Sequence, residues 1–163
     1  MNIEIICVGK IKEKFFRDAI DEYSKRLSRY CKLNISEVAD EKTPDNLSEN
    51  ERDLIIAKEG ERIEKILAKH DSSQSYIISL EIKGKSYSSE ELASSIDNLS
   101  IKGISTIIFV IGGSLGLDKK ISNMAKLHLS FSKMTFPHQL MRVILLEQIY
   151  RSYRIIKNEP YHK

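Results

Sequence analysis

Apolar strand-like runs and helical repeats alternate along the chain, beginning with the apolar stretch NIEIICVG. The segment EKFFRDAIDEYSKRLSRY follows, and its large apolar residues, among them Phe16 and Leu27, recur at helical spacing. The next segment, KLNISEVAD, alternates apolar and polar residues, as a half-exposed strand does. The start of the chain therefore predicts a strand, a helix and a second strand.

The same alternation continues through the rest of the chain. Ser48 and Glu51 match a capping box and predict a helix that ends at about His70. SYIISLEI and STIIFVIGG predict strands, and the second is the most apolar of all, which is typical of the centre of a parallel sheet. The remaining predictions are a turn at KGKSYS, helices at SSEELASSIDNL, LDKKISNMAK and residues 137–157, and a strand at LHLSFS.

Strands that alternate with helices predict an α/β fold, a parallel β-sheet flanked by helices on both faces. We expect a single domain over residues 1–163, because no linker, repeat or low-complexity stretch interrupts the pattern. In sheets of this kind, ligands bind beyond the carboxyl ends of the strands. The loops after Gly9, Glu81, Val110 and Ser130 are therefore the expected location of a functional site.

Composition changes this picture little, whereas the distribution of charge adds to it. Apolar residues make up 41% and charged residues 30% of the chain, so wholesale disorder is not expected. Residues 119–163 carry nine Lys or Arg and only two acids, a net charge of +7, whereas the preceding 118 residues carry −4. This asymmetry fits an anionic partner such as nucleic acid, and it fits equally well a basic surface that serves solubility.

Several classes of protein lack support in the sequence. No G-x-x-x-x-G-K-[ST] loop of a nucleotidase and no G-x-S-x-G elbow of a hydrolase occurs. Cys7 and Cys31 lie in apolar segments and are expected to be buried free thiols. No metal is expected, because the histidines share no ligand spacing with each other or with these cysteines.

A membrane location also lacks support. The N-terminal stretch MNIEIICVGK has an acidic residue in its apolar run and no cleavage pattern, so it does not match a signal peptide. Apolar runs such as TIIFVI are far shorter than the roughly 20 residues that a membrane helix needs. We therefore expect a soluble, cytoplasmic protein.

A glycine-rich loop follows the most apolar strand and contains Gly112, Gly113 and Gly116. Adjacent glycines let a ligand approach the backbone closely, but a tight turn that merely needs glycine is an equally good interpretation. The pattern is not G-x-G-x-x-G, so a dinucleotide-binding fold is disfavoured. Leu80, at the end of another predicted strand, could line the same pocket as Gly112.

The final predicted helix begins with an unusual pair of side chains. Pro137 suits the first helical position, where its missing N–H costs nothing. A rotation of 100° per residue puts His138 and Arg142 within about 40° of each other on one face. Apolar residues surround them, and a buried arginine needs a partner that the neighbouring sequence does not supply. We therefore expect this pair to face a functional site.

Taken together, FVIGGSLGL, LSFSKMTFPHQLMRVILLEQIYRSYRI and the terminal PYHK resemble the RlmH family, SPOUT-class methyltransferases that modify a pseudouridine in large-subunit ribosomal RNA. The resemblance extends from the MNIEIICVGKIK start to the end of the chain. It implies a C-terminal trefoil knot, S-adenosylmethionine as methyl donor, and a homodimer in which the partner's C-terminal tail completes each active site. The implied reaction is methylation of N3 of a pseudouridine, number 1915 of 23S RNA, on the assembled ribosome.

The chemistry of this reaction indicates the catalytic residues, and the resemblance implies the contacts to the methyl donor. The catalytic set would be His138 and Arg142, which would polarise the pseudouridine and favour its N3 anion, with Tyr161 and His162 closing over the base from the other subunit. Lys133 and Arg154 would contact RNA phosphate or the partner's tail. The contacts to the methyl donor would come from Leu80, Gly112, Phe131, Ser132, Lys133, Met134, Thr135 and Phe136.

The sequence is also compatible with two other functions. One is a SPOUT methyltransferase with a different RNA target, such as transfer RNA or N3 of a uridine. The other is a basic protein that binds ribosomes without any chemistry. The second explains the basic C-terminal segment, but not three loops that converge on one expected pocket.

Overall fold

The structure of the protein, a computed structural model, describes residues 1–163 and contains five strands and five helices. The strands are β1 (Asn2–Val8), β2 (Lys32–Val38), β3 (Ser75–Ser86), β4 (Thr106–Ile111) and β5 (Leu127–Ser130). The helices are α1 (Lys14–Leu27), α2 (Glu49–Leu67), α3 (Ser89–Ile101), α4 (Lys119–Met124) and α5 (His138–Ile156).

All five strands are parallel and form one sheet in the order β2-β1-β4-β3-β5. β4 lies at the centre, and five of its six residues are buried, so the most apolar predicted strand is the central one. The sheet confirms the predicted α/β class. The carboxyl ends of β3, β4 and β5 meet at one edge because these strands are neighbours.

The two faces of the sheet carry separate hydrophobic cores. Strand residues such as Ile3 and Ile5 pack with α1, α3 and α5 on one face, whereas Ile6 and Val8 pack with α2 and α4 on the other. Each fully buried Ile or Val side chain stabilises the fold by about 1.5–3 kcal/mol. Cys7 is buried and Cys31 is partly buried, and both are free thiols. None of the helices combines the length and the hydropathy needed to cross a membrane.

The predicted capping box at the start of α2 is present. The backbone N–H of Glu51 donates to the hydroxyl of Ser48, and the backbone N–H of Ser48 donates to the carboxylate of Glu51 at 2.7 Å. A cap of this kind stabilises a helix by about 1 kcal/mol. The helix ends at Leu67, slightly before the predicted end at His70.

Two local predictions were wrong. The predicted turn KGKSYS belongs mostly to β3, which runs to Ser86 and shifts its register against β5 between Leu80 and Lys85. Gly84 makes this possible, because a Cβ atom there would lie 2.7 Å from the backbone of His128. Pro137 is the N-cap of α5, with non-helical dihedrals (φ −55°, ψ 133°), and the helix begins at His138.

The chain crosses the carboxyl edge of the sheet between β5 and α5. β5 is an edge strand, yet the start of α5 lies beside the loop that follows β1, where the backbone N–H of Lys12 donates to the side chain of Gln139 at 3.1 Å. This crossing brings the loops after β1, β3, β4 and β5 towards one region. The trefoil knot implied by the motifs is consistent with this path and stays a prediction.

Candidate active site

A cavity of about 570 Å³ lies beyond the carboxyl ends of β3, β4 and β5. Its volume is typical of small-molecule sites, which usually span about 300–1,000 Å³. Most of the residues predicted to bind the methyl donor line it: Leu80, Gly112, Phe131, Ser132, Met134, Thr135 and Phe136. Lys133 is exposed and does not line the cavity. The structure thus brings the three predicted loops together, and their contact with a donor stays a prediction.

The glycine loop that forms one wall needs glycine for its own shape. A Cβ atom on Gly112 would lie 2.7 Å from the carbonyl oxygen of Gly116, closer than side chains approach. Gly116 has a φ of +95°, which side chains rarely adopt. The loop is therefore a tight turn and a pocket wall at once, and the two interpretations of the sequence are compatible.

The side chain of Glu59 in α2 packs against this loop at Gly113. Its side chain is 4% exposed, and its Oε1 accepts a hydrogen bond from the backbone N–H of Glu41 at 3.0 Å. Its Oε2 has no hydrogen-bond partner, and a Cβ atom on Gly113 would lie only 2.8 Å from it. Burial raises the pKa of Glu59. Neither this carboxyl nor its proximity to the glycine loop was predicted.

A second unpredicted group surrounds Glu81, which lines the cavity. Its Oε1 accepts hydrogen bonds from the hydroxyls of Ser79 at 2.6 Å and Ser122 at 2.8 Å, and His128 Nδ1 lies 2.9 Å away. Partial burial opposes ionisation, but these contacts outweigh it and lower the pKa of Glu81. A carboxylate therefore stands at the cavity wall. The spacing of Ser79 and Glu81 on one strand face was a signal in the sequence, but His128 and Ser122 join only through the fold.

The segment between β5 and α5 is shaped by serines. The hydroxyl of Ser130 donates to the carbonyl of Ile82 at 2.9 Å, which joins this segment to β3. The hydroxyl of Ser132 accepts from the backbone N–H of Met134 at 3.0 Å. Met134 and Phe136 remain exposed at the mouth of the cavity. These apolar side chains are available to a ligand that enters it.

His138 lines the same cavity at the start of α5. It lies against Gly9, where a Cβ atom would be 3.4 Å from the imidazole Nε2, and Gly9 has a φ of +85°. Burial and the nearby Arg142 lower the pKa of His138, so its imidazole is neutral at pH 7. A neutral imidazole can accept a proton, which a cationic one cannot.

Arg142 does not face the cavity, contrary to the prediction. Its side chain is 1% exposed, and Nη1 donates to the carboxylate of Glu37 at 2.6 Å. Nη2 donates to the carbonyls of Val8 at 3.1 Å and Gly9 at 2.5 Å. The missing partner lies on β2, where the linear sequence could not reveal it. Arg142 thus holds α5 against the ends of β1 and β2, directly behind His138.

The C-terminal tail folds back on its own helices. The Tyr161 hydroxyl donates to Glu147 at 3.1 Å, and burial together with Glu147 raises the pKa of Tyr161 to about 12. His162 lies between Glu90, at 2.8 Å from its Nε2, and Arg151, at 3.2 Å from its Nδ1. Neither Tyr161 nor His162 lines the cavity of its own chain.

Arg154 is used within the chain rather than left free for RNA. It pairs with Glu159 at 2.8 Å, and it donates to the Tyr30 hydroxyl at 3.2 Å and to the carbonyl of Pro160 at 2.9 Å. These contacts fix the start of the tail. The structure contains no group of three or more His, Cys, Asp or Glu side chains placed to hold a metal ion.

Comparison of the sequence with known proteins matches the chain to one family. The family described as "Predicted SPOUT methyltransferase" matches residues 1–162. The chain is 65% identical to "Ribosomal RNA large subunit methyltransferase H" of Clostridium novyi (strain NT), over 100% of both chains. It is 61% identical, again over 100% of both, to the protein of that name from Clostridium botulinum (strain Hall).

A solved structure shows a similar fold. It is described as a probable methylase family protein from Haemophilus influenzae Rd KW20, and it matches with a TM-score of 0.55 over 99% of this chain and 70% of its own. At 14% identity, this likeness concerns the fold alone. The family match and the full-length relatives confirm the resemblance seen in the motifs. The chain therefore belongs to the SPOUT methyltransferase family.

Proposed function

We propose that the protein methylates large-subunit ribosomal RNA, at N3 of a pseudouridine, with S-adenosylmethionine as methyl donor. The observation that carries this proposal is 65% identity, over the whole chain, to a protein named for methylation of this RNA. The pseudouridine, its N3 atom and the donor rest on the motif resemblance. The cavity lined by the residues that those motifs assign to the donor supports it.

The size of the cavity and a carboxylate in its wall support the proposed donor. The donor supplies a methyl group on a positively charged sulfur. Leu80, Gly112 and Phe131 offer apolar and backbone surface to an adenosine, and the carboxylate of Glu81 suits a ligand with a cationic centre. Ser79, Ser122 and His128 fix that carboxylate in place before anything binds.

His138 is the residue best placed to handle the proton on N3. N3 of a pseudouridine lies between two carbonyl groups and is a weak acid, so it must lose its proton as the new bond forms. A neutral imidazole at the cavity wall can accept that proton. This role differs from the polarising one expected from the sequence, and Arg142 supports it indirectly by holding Gly9 and α5.

Tyr161 and His162 act, in this proposal, in the site of a second subunit. Both lie away from the cavity of their own chain, and a homodimer would let each tail reach the partner's site. Lys133 is exposed beside the cavity and is available to RNA phosphate. The reaction would take place in the cytoplasm, on assembled ribosomes.

Methylation of ribosomes by the purified protein tests the proposal. Ribosomes from a strain that lacks the modification would be incubated with isotopically labelled S-adenosylmethionine, and the nucleosides of the 23S RNA analysed by mass spectrometry. We expect labelled 3-methylpseudouridine, which His138→Ala reduces strongly. Label in another nucleoside would point to a different RNA target, and ribosome binding without donor binding in calorimetry would indicate a protein without chemistry.

A further inference from the structure

The loop between β1 and α1, with the first turn of α1, presents a basic surface next to His138. This basic loop, residues 10–17, contains Lys10, Lys12 and Lys14, all exposed, and one acid, Glu13. Lys14 has an ion pair, with Asp18 at 2.6 Å, whereas Lys10 and Lys12 have none. Two lysines without an ion pair and one exposed, paired lysine therefore lie in the loop that contacts the start of α5.

The basic loop is held in place by several hydrogen bonds. Arg17 donates to the carbonyl of Lys12 at 2.9 Å and to that of Ile11 at 3.4 Å. The backbone N–H of Ile11 donates to Glu37 at 3.1 Å, and that of Lys12 to Gln139 at 3.1 Å. The lysines therefore project from a backbone fixed to both β2 and α5, close enough for Lys12 to contribute to the lowered pKa of His138.

An exposed aromatic ring accompanies these lysines. Phe15 is 65% exposed, and its ring centroid lies 4.3 Å from that of the partly buried Phe16. A large apolar ring beside cations suits single-stranded RNA, because unstacked bases stack on aromatic side chains while lysines contact phosphates. A loop of RNA could engage both at once.

All three arginines of the basic C-terminal segment, in contrast, are ion-paired within the fold. Of its nine bases, four have ion pairs: Lys120 with Glu64, Arg142 with Glu37, Arg151 with Glu147 and Arg154 with Glu159. In three of these pairs, the arginine side chain is at most one quarter exposed. The charge asymmetry of the sequence thus overstates what the arginines of this segment offer to an anion.

We propose that the basic loop is a docking surface for the RNA substrate, with Lys10 and Lys12 on phosphates and Phe15 stacked on an unpaired base. The proposal rests on the proposed function, since the target base must reach the cavity beside His138. It assigns RNA binding to the amino-terminal loop instead of the C-terminal arginines.

Steady-state methylation of unmodified ribosomes at several salt concentrations tests this surface. The double variant Lys10→Ala/Lys12→Ala should raise KM for the ribosomes, and the slope of log KM against log salt should fall by about 1.4, roughly 0.7 for each phosphate that a lysine no longer neutralises. Phe15→Ala should raise KM about tenfold. Lys65→Ala/Lys69→Ala, which removes two exposed lysines at the far end of α2, is the matched control.

Donor affinity, measured by calorimetry with S-adenosylmethionine, should be equal in all of these variants. If the wild-type protein methylates ribosomes but the loop variants match the control, the docking surface is wrong and the proposed function stands. If the wild-type protein transfers no methyl group to the ribosomes, the proposed function itself fails. If Phe15→Ala instead shifts the sedimentation of the protein towards monomer and leaves KM unchanged, a second copy of the chain covers this surface, which also overturns the proposal.

Discussion

Arg142 of α5 forms a 2.6 Å ion pair with Glu37 of β2, a residue 105 positions away in the sequence. The guanidinium is 1% exposed, whereas the side chain of Glu37 is 36% exposed. The carboxylate is therefore partly hydrated, and the buried carbonyls of Val8 and Gly9 depend more strongly on the arginine. This unequal burial predicts that the two partners contribute unequally to stability.

Replacement of Arg142 by Met should destabilise the protein by about 3 kcal/mol, because two buried carbonyls lose their donors while the side-chain volume is largely kept. Glu37→Gln retains an acceptor and should cost about 1 kcal/mol. Urea denaturation measures both. Lys120→Met breaks an exposed ion pair with Glu64 and should leave the midpoint unchanged. Equal midpoints for Arg142→Met and the wild-type protein would mean that these hydrogen bonds contribute no net stability.

Stability should depend on the protonation of His138. Because its pKa in the folded protein lies below the ordinary value of about 6.5, the unfolded chain binds more protons than the folded one below that pH. This contribution is present above pH 6.5 and is lost as the pH falls towards the folded pKa. The free energy of unfolding of wild-type protein should therefore fall more steeply between pH 7 and pH 5 than that of His138→Gln. Parallel curves for the two proteins would contradict the lowered pKa.

Replacement of Gly60 in α2 by alanine should destabilise the protein. A Cβ atom there would lie 2.7 Å from the Cβ of Asp118, which caps α4 directly after the glycine loop. Overpacking costs about 1–3 kcal/mol, which exceeds the gain of about 1 kcal/mol from replacing a helical glycine. Thermal unfolding should show a lower Tm for Gly60→Ala, while Ser94→Ala on the exposed face of α3 should not lower it. A higher Tm for Gly60→Ala would show that α2 shifts freely away from α4.

The carboxylate of Glu81 should be needed for donor binding under the proposed function. Glu81→Gln keeps the shape of the side chain but removes its charge, and the loss of a charged hydrogen bond should weaken affinity for S-adenosylmethionine about tenfold. Glu61→Gln removes an exposed carboxylate of α2 and serves as the control. Calorimetry at one pH measures both. Unchanged affinity in Glu81→Gln would exclude the carboxylate as a donor contact.

Much of the fold followed from hydrophobic periodicity, because strands and helices bury residues with different repeats. The strand at the centre of the sheet and the capping box of α2 were predicted correctly for this reason. The end of β3 was not, because KGKSYS has the composition of a turn and only the neighbouring His128 backbone explains Gly84.

Some residues of the candidate site could likewise be predicted from the sequence, and others could not. Residues contiguous along the chain, such as the run from Phe131 to Phe136, were assigned to the cavity they line, with Lys133 the exception. Side chains that meet only through the sheet were missed, because pairing between β3 and β5 brings His128 to Glu81. Glu37, the partner of Arg142, could not be predicted for the same reason. Because the guanidinium of Arg142 is buried, the role that we assign to this arginine differs from the one expected.

The ties from Arg142 to Val8, Gly9 and Glu37 also have a consequence for biosynthesis. Translation produces β1 and β2 first, yet the arginine that donates to their carboxyl ends arrives only with α5. A nascent chain that stops before residue 138 therefore lacks the donor of two backbone carbonyls and the cationic partner of Glu37 at the place where the cavity would form. Native structure, and with it any activity, is thereby postponed until the last helix has emerged from the ribosome.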